Sequence, residues 1–168
     1  MPKRVAFFLW TTAYGWILTL DNLMLGDLPL ANRCCMCYCS AESVDHLVIH
    51  CSVAYSVWVQ MLQAFGIQWV RPSSVESLVS CWSNWLGKYA SDVWNMVRGC
   101  LMWVVWLERN WCSFEVLERM LDQLQALSQN TLFEWAKCWG YSNCSSALEF
   151  FSTLSSASVF CVHHHEHL

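Results

Sequence analysis

The residues with the narrowest chemical reading lie between positions 34 and 51, Cys-Cys-Met-Cys-Tyr-Cys-Ser-Ala-Glu-Ser-Val-Asp-His-Leu-Val-Ile-His-Cys. Within them sits the spacing Cys34-x2-Cys37-x8-His46-x4-Cys51. Two thiolates separated by two residues can bracket one metal. A histidine and a further cysteine about one helical turn apart can then close a tetrahedron, which is what one structural Zn2+ requires. The stretch is over-supplied with donors: Cys35 and Cys39 are spare thiols, and His50 is a spare imidazole one turn after His46. A variant site drawing on these three stays open. So does a metal-free reading in which the cysteines are small buried hydrophobes.

Such ligands must be held by their neighbours. Ser43 has the chemistry of an N-cap, so residues 44–50 are expected to form a short helix with His46 and His50 on one face. Cys51 reaches the same metal only if that helix stops near His50. Upstream, residues 3–18 read as a helix with Val5, Phe8, Leu9 and Ala13 on one side and Gly15 weakening its end. Thr19 is placed to cap a short helix over 20–25 that Gly26 stops. A Pro29-containing loop then delivers the chain to the knuckle.

Downstream, Val53, Val57, Trp58, Met61, Leu62 and Phe65 repeat at helical spacing before Gly66. Ser73-Ser74-Val75-Glu76 reads as a capping box opening a helix to about Trp85, followed by a break over 87–90. Ser91 is expected to cap the longest helix, 92–114, with a seam of Val93, Met96, Cys100, Trp103, Leu107, Asn110 and Phe114. A last helix over 116–139 would bury Leu117, Met120, Leu124, Leu127, Thr131, Trp135 and Cys138, and end at Gly140. Residues 147–154 suggest one or two helical turns, and 155–168 show no period. His163-His164-His165-Glu166-His167 is read as a solvated tract rather than a weak metal site. The expected fold class is all-α, a helical domain with an inserted Cys-Cys-His-Cys zinc knuckle. Its organisation is 1–66, N-terminal helices with the knuckle at 34–51; 67–140, a helical extension with two long helices; and 141–168, a mostly irregular tail.

Composition bounds the function. A 56% hydrophobic, 13% charged chain of 168 residues can bury a real core. Eleven cysteines would suit disulfides in a secreted protein. However, the apolar run over 5–10 is short and no small-residue cleavage site follows it, so an intracellular, reducing compartment with a metal site is expected. The longest apolar run, 100–107, is far below the ~20 residues of a membrane helix. Catalysis has no footing. The glycines form no phosphate loop, no two aspartates are adjacent, and no Tyr/Phe-x-Asp-Asp polymerase signature is present. Adjacent residues His50 and Cys51 do not face each other as a nucleophile pair would. Arg109 and Asn110 read as a helix-surface arginine and a seam asparagine rather than a phosphate contact.

Taken together, the run Pro2-Lys3-Arg4-Val5-Ala6-Phe7-Phe8-Leu9-Trp10, then Ile17-Leu18-Thr19-Leu20-Asp21-Asn22-Leu23, then the Cys/His spacing resembles one family. It is the zinc-binding domain at the C-terminal end of plant LINE-type (non-LTR) retrotransposon reverse transcriptases. Trp103-Val104-Val105-Trp106-Leu107-Glu108-Arg109-Asn110, Phe114-Glu115 and Thr131-Leu132-Phe133-Glu134-Trp135 are similar to the segment that follows the zinc site there. The resemblance implies Cys34, Cys37, His46 and Cys51 as ligands of one structural Zn2+. It also implies a non-catalytic accessory role beside the parent polymerase, contact with template RNA or target DNA, and a nuclear setting. Charge pulls against the nucleic-acid part. Lys+Arg 9 against Asp+Glu 13 gives −4, and three thiolates with Zn2+ (−3 and +2) make the loaded form one unit more negative. Over 30–60, Arg33 stands against Glu42 and Asp45, so phosphate contacts would be few. The competing expectation is a protein–protein module packing against the polymerase through exposed tryptophans on the two long helices, or a degenerate relic of the element. A basic face would favour the first and a contiguous apolar patch the second.

Overall fold

A computed structural model describes residues 1–27, 29–82, 88–115 and 118–162, with side chains described for 1–27, 29–82, 92–115 and 118–155. Among the described residues every regular element is helical. In chain order they are α1 (Lys3–Ala13), α2 (Leu20–Met24), a π turn (His46–His50), α3 (Ser52–Ala64), α4 (Val75–Ser80), α5 (Lys88–Glu115), α6 (Leu121–Cys138) and α7 (Ala147–Val162). The all-α expectation holds, and Cys34, Cys37, His46 and Cys51 come together as a group able to bind a metal.

Helix ends differ from expectation for local reasons. α1 stops at Ala13, five residues early, because Gly15 takes a left-handed φ of +70°. Its N–H bonds the Thr12 carbonyl and that of Trp16 bonds Thr11, a Schellman closure that leaves no room to continue. Gly66 and Gly140 end α3 and α6 in the same way. At α2 the left-handed residue is Asp27 rather than Gly26. Thr19 flanks α2 but does not cap it with its side chain; the N–H of Leu20 is taken by the carboxylate of Glu42 at 2.9 Å. α4 is capped by Ser74, whose hydroxyl accepts from the Ser77 N–H at 3.1 Å, so Glu76 closes no box, and the helix ends at Ser80. α5 begins at Lys88 and runs through the expected Ser91 cap. Trp85 and Gly87 lie outside the described residues. α7 extends through residues expected to be irregular, whereas His163–His167 lie outside the described chain.

α5 is the central element. α1 lies along it, and Phe8 packs between Trp103 and Trp106 at ring-centroid distances of 5.3 and 5.7 Å. The approach is close at Gly99, where a Cβ would sit 2.7 Å from Met1 Sδ and 3.0 Å from Leu9 Cδ1. α6 packs on α5 and α3, and α7 completes the far side through Phe150 against Phe133 and Phe151 against Phe65. The expected Val5 and Phe8 on α1, Val57, Trp58, Met61 and Leu62 on α3, and Val93, Met96 and Cys100 on α5 are buried, whereas the C-terminal half of α5 and α6 lie about one residue round from expectation. On α5, Leu107 and Phe114 are exposed while Leu101, Val104, Val105, Glu108 and Arg109 are buried. On α6, Met120 is exposed and the core side is Leu124, Ser128, Leu132, Phe133 and Ala136. Ser128 and Ala136 are small enough for close packing, and Cys100 donates to the Ser128 carbonyl at 3.4 Å. Leu117 lies outside the described residues.

Candidate metal centre

The first two candidate ligands, Cys34 and Cys37, come from a tight turn. The Tyr38 N–H bonds the Cys34 carbonyl at 3.0 Å, the Cys34 N–H bonds the Ser40 carbonyl at 2.9 Å, and Tyr38 takes a left-handed φ of 55°. This reversal brings Cys34 and Cys37 to one side. Arg33 Nε donates to the Tyr38 carbonyl at 2.8 Å and braces the turn from outside.

The second pair comes from the π turn. Ser43 caps it as expected, its hydroxyl accepting from the His46 N–H at 3.2 Å. An α-helix would rotate residue i+5 about 140° away from residue i. The wider winding instead bonds the Cys51 N–H to the His46 carbonyl at 2.6 Å, and Cys51 then leaves the helix at φ −57°, ψ 132°. Sequence periodicity alone could not announce this winding. Leu47, Val48 and Ile49 are fully buried, and Val48 accepts from the Trp58 indole N–H at 2.8 Å, so the turn is anchored to α3.

The four candidate ligand atoms lie within 4.8 Å of one another. Cys34 Sγ is 4.0 Å from Cys51 Sγ, and Cys37 Sγ is 3.3 Å from His46 Nε2. Metal–sulfur bonds of about 2.3 Å and metal–nitrogen bonds of about 2.0 Å put the edges of a zinc tetrahedron near 3.5–3.8 Å, so the donor set fits the ion. Cys34 and Cys51 are buried, Cys37 and His46 half-buried. The surplus donors face elsewhere. Cys35 donates to the Arg109 carbonyl at 3.6 Å and lies 3.4 Å from Ser113 Oγ. Cys39 donates to the Cys37 carbonyl at 2.9 Å. His50 Nε2 lies 3.1 Å from the Ser73 carbonyl, which can only accept, so that nitrogen carries a proton there.

Electrostatics suit a cation between these groups. The Cys34 thiol is pushed up by its bond to Cys51 and by burial, while Cys51 is drawn down by that bond and by the amides of Ala54 and Val53 at the start of α3. A dication between the two sulfurs would favour the thiolate form of both. Burial, aided by His50, lowers His46 and keeps it in the neutral form that ligates. Four protein donors fill a tetrahedron and leave no position for a substrate or reactive water, which makes the centre structural.

Residues 1–58, just over a third of the chain, match the model of the family described as zinc-binding in reverse transcriptase. No curated protein and no solved structure matches the chain. The match and the Cys3His cluster together support a single structural zinc. What matches is a zinc-binding segment, not a polymerase.

Two residues of consequence escaped the sequence reading. Arg109 is not a surface arginine: it is 4% exposed and grips the fully buried Glu42, with Nη2 2.8 Å and Nε 3.1 Å from Oε1. Its burial follows from its register: Arg109 falls four residues after the buried Val105, a face the expected seam did not include, and a cation there must find a partner. Glu108, also buried, is paired with Arg119 at 2.6 Å. Two of the nine cations are thereby engaged within the fold.

Proposed function

We propose that this chain is a non-catalytic zinc-binding accessory region of a plant LINE-type retrotransposon reverse transcriptase, working in the nucleus beside the polymerase. Its ligands are Cys34, Cys37, His46 and Cys51. The observation that carries the reading is the convergence of these four ligand atoms within 4.8 Å inside the segment that matches the reverse-transcriptase zinc family. Zinc content by mass spectrometry of protein purified under reducing conditions tests it. One equivalent is expected, and none in a His46→Ala, Cys51→Ser double variant; a well-folded wild type without zinc would sink the reading.

Of the two modes of action, packing against the polymerase has the more specific support. Phe7, Trp10, Tyr14 and Trp16 are 66%, 49%, 59% and 62% exposed and touch ring to ring, with centroids 5.1–6.1 Å apart. Leu18, two residues on, is also exposed. Solvated chains rarely leave such a patch uncovered. The cations are dispersed by comparison: Arg4 lies over Trp103, Arg71 over Tyr55 and Arg98 over Trp82. A Trp10→Ser, Trp16→Ser variant is expected to lose association with the parent polymerase domain while retaining zinc. Tight, salt-sensitive binding of single-stranded RNA or DNA would favour the nucleic-acid mode instead.

A further inference from the structure

We infer that Glu42 and Arg109 are positioning residues of the metal centre, so that α5, outside the matched segment, completes the knuckle. The inference rests on the zinc reading above.

Glu42 lies between the ligands Cys37 and His46, and its contacts fix the loop from three directions. Its N–H bonds Asn32 Oδ1 at 2.7 Å, two residues before Cys34. Its carboxylate accepts the Leu20 N–H at 2.9 Å and is held by the Arg109 fork, with a third contact of 3.3 Å from Nε to Oε2. Arg109 meets the knuckle a second time through its carbonyl, which accepts from Cys35, the residue between Cys34 and Met36. One residue of α5 therefore touches the turn inside the leading pair of ligands, at Cys35, and the segment that joins that pair to His46, at Glu42. A guanidinium fork fixes direction as well as distance, which a point charge does not. Groups that orient metal ligands without touching the ion characteristically tune affinity by 10–100-fold. The ligand set thus comes from residues 34–51, but its geometry is set from residue 109.

The experiment measures zinc affinity of the full chain by competition with a chromophoric chelator, alongside the cobalt-substituted absorption spectrum. Arg109→Met is expected to weaken zinc by about 10–100-fold. Adding Glu42→Gln, which removes the stranded charge but keeps an acceptor for Leu20, should recover part of that loss. The cobalt bands at saturating metal should remain tetrahedral, because the ligands themselves are intact. Affinity within twofold of wild type for Arg109→Met, or no recovery in the double variant, overturns the inference. Should Arg109→Met fail to fold, Glu42→Gln alone carries the test: weakened zinc supports positioning and unchanged zinc refutes it. A wild type that binds no zinc overturns both this inference and the reading beneath it, whereas a wild type that binds while the variants are indifferent overturns this inference alone.

Discussion

Removal of the metal should open one part of the knuckle and leave the other closed. The π turn carries Leu47, Val48 and Ile49, all fully buried, and each such side chain contributes about 1.5–3 kcal/mol by burial. It also holds the Trp58 indole. The Cys34–Cys37 turn has much less, with only Cys34 and Met36 in the core. Without zinc the first segment should stay docked and the second should fray. The global effect can be sized by linkage. Free zinc buffered a thousandfold above Kd stabilises the chain by about 4.1 kcal/mol. An unfolding entropy of about 2.1 cal/mol/K per residue makes each kcal/mol worth about 3 °C in a chain of this length, so chelation should lower Tm by roughly 10–15 °C. Thermal unfolding by circular dichroism, with and without chelator, gives that shift, and hydrogen exchange gives its location. The amides of Cys34 and Tyr38 should lose protection while that of Cys51 retains it. An unchanged Tm, or simultaneous exposure of all three amides, would refute the reasoning.

Other expectations follow from burial and pairing. Leu101→Ala should cost about 2–5 kcal/mol, whereas Phe114→Ala on the same helix should fall within about 0.5 kcal/mol in denaturant titration. Equal effects would mean that the buried face of α5 is misplaced. Trp58→Phe strands the Val48 carbonyl and should cost about 1–3 kcal/mol from that group alone, read as a fall in the denaturation midpoint. The Trp10→Ser, Trp16→Ser variant should melt within about 2 °C of wild type and scatter less light on concentration, because neither ring is in the core.

What the sequence disclosed depended on how local the cause was. The cysteine spacing, the Ser43 cap and the glycine stops at Gly66 and Gly140 are short-range features, and each is present in the fold. Helix faces depended on partners: α3 buries the expected Val57, Trp58, Met61 and Leu62, whereas α6 and the end of α5 are about a residue off. Alternating three- and four-residue steps on α6 favoured Leu127 and Thr131, but close packing on α5 selected the four-residue row Leu124, Ser128, Leu132, Ala136. Two members of that row carry no apolar signal strong enough to flag it. The π winding depends on burial of Leu47–Ile49 against α3 and α5, a tertiary cause with no period of its own.

The Glu42–Arg109 pair shows why net charge is a poor guide to this surface. Counted along the chain, Arg109 is one of nine cations and reads as a free charge on a helix surface. In the fold it is committed to Glu42, and Arg119 is committed to Glu108. The remaining described arginines lie over aromatic rings or brace turns, as Arg33 does at Tyr38. Cations held this way are spread over helices and the segments between them, an arrangement that disfavours the continuous potential that draws a polyanion. The aromatic surface of α1 has the opposite character: four contiguous rings on a helix end fixed by the Gly15 closure and packed onto α5. An apolar platform of this kind is what the proposed docking against the polymerase requires.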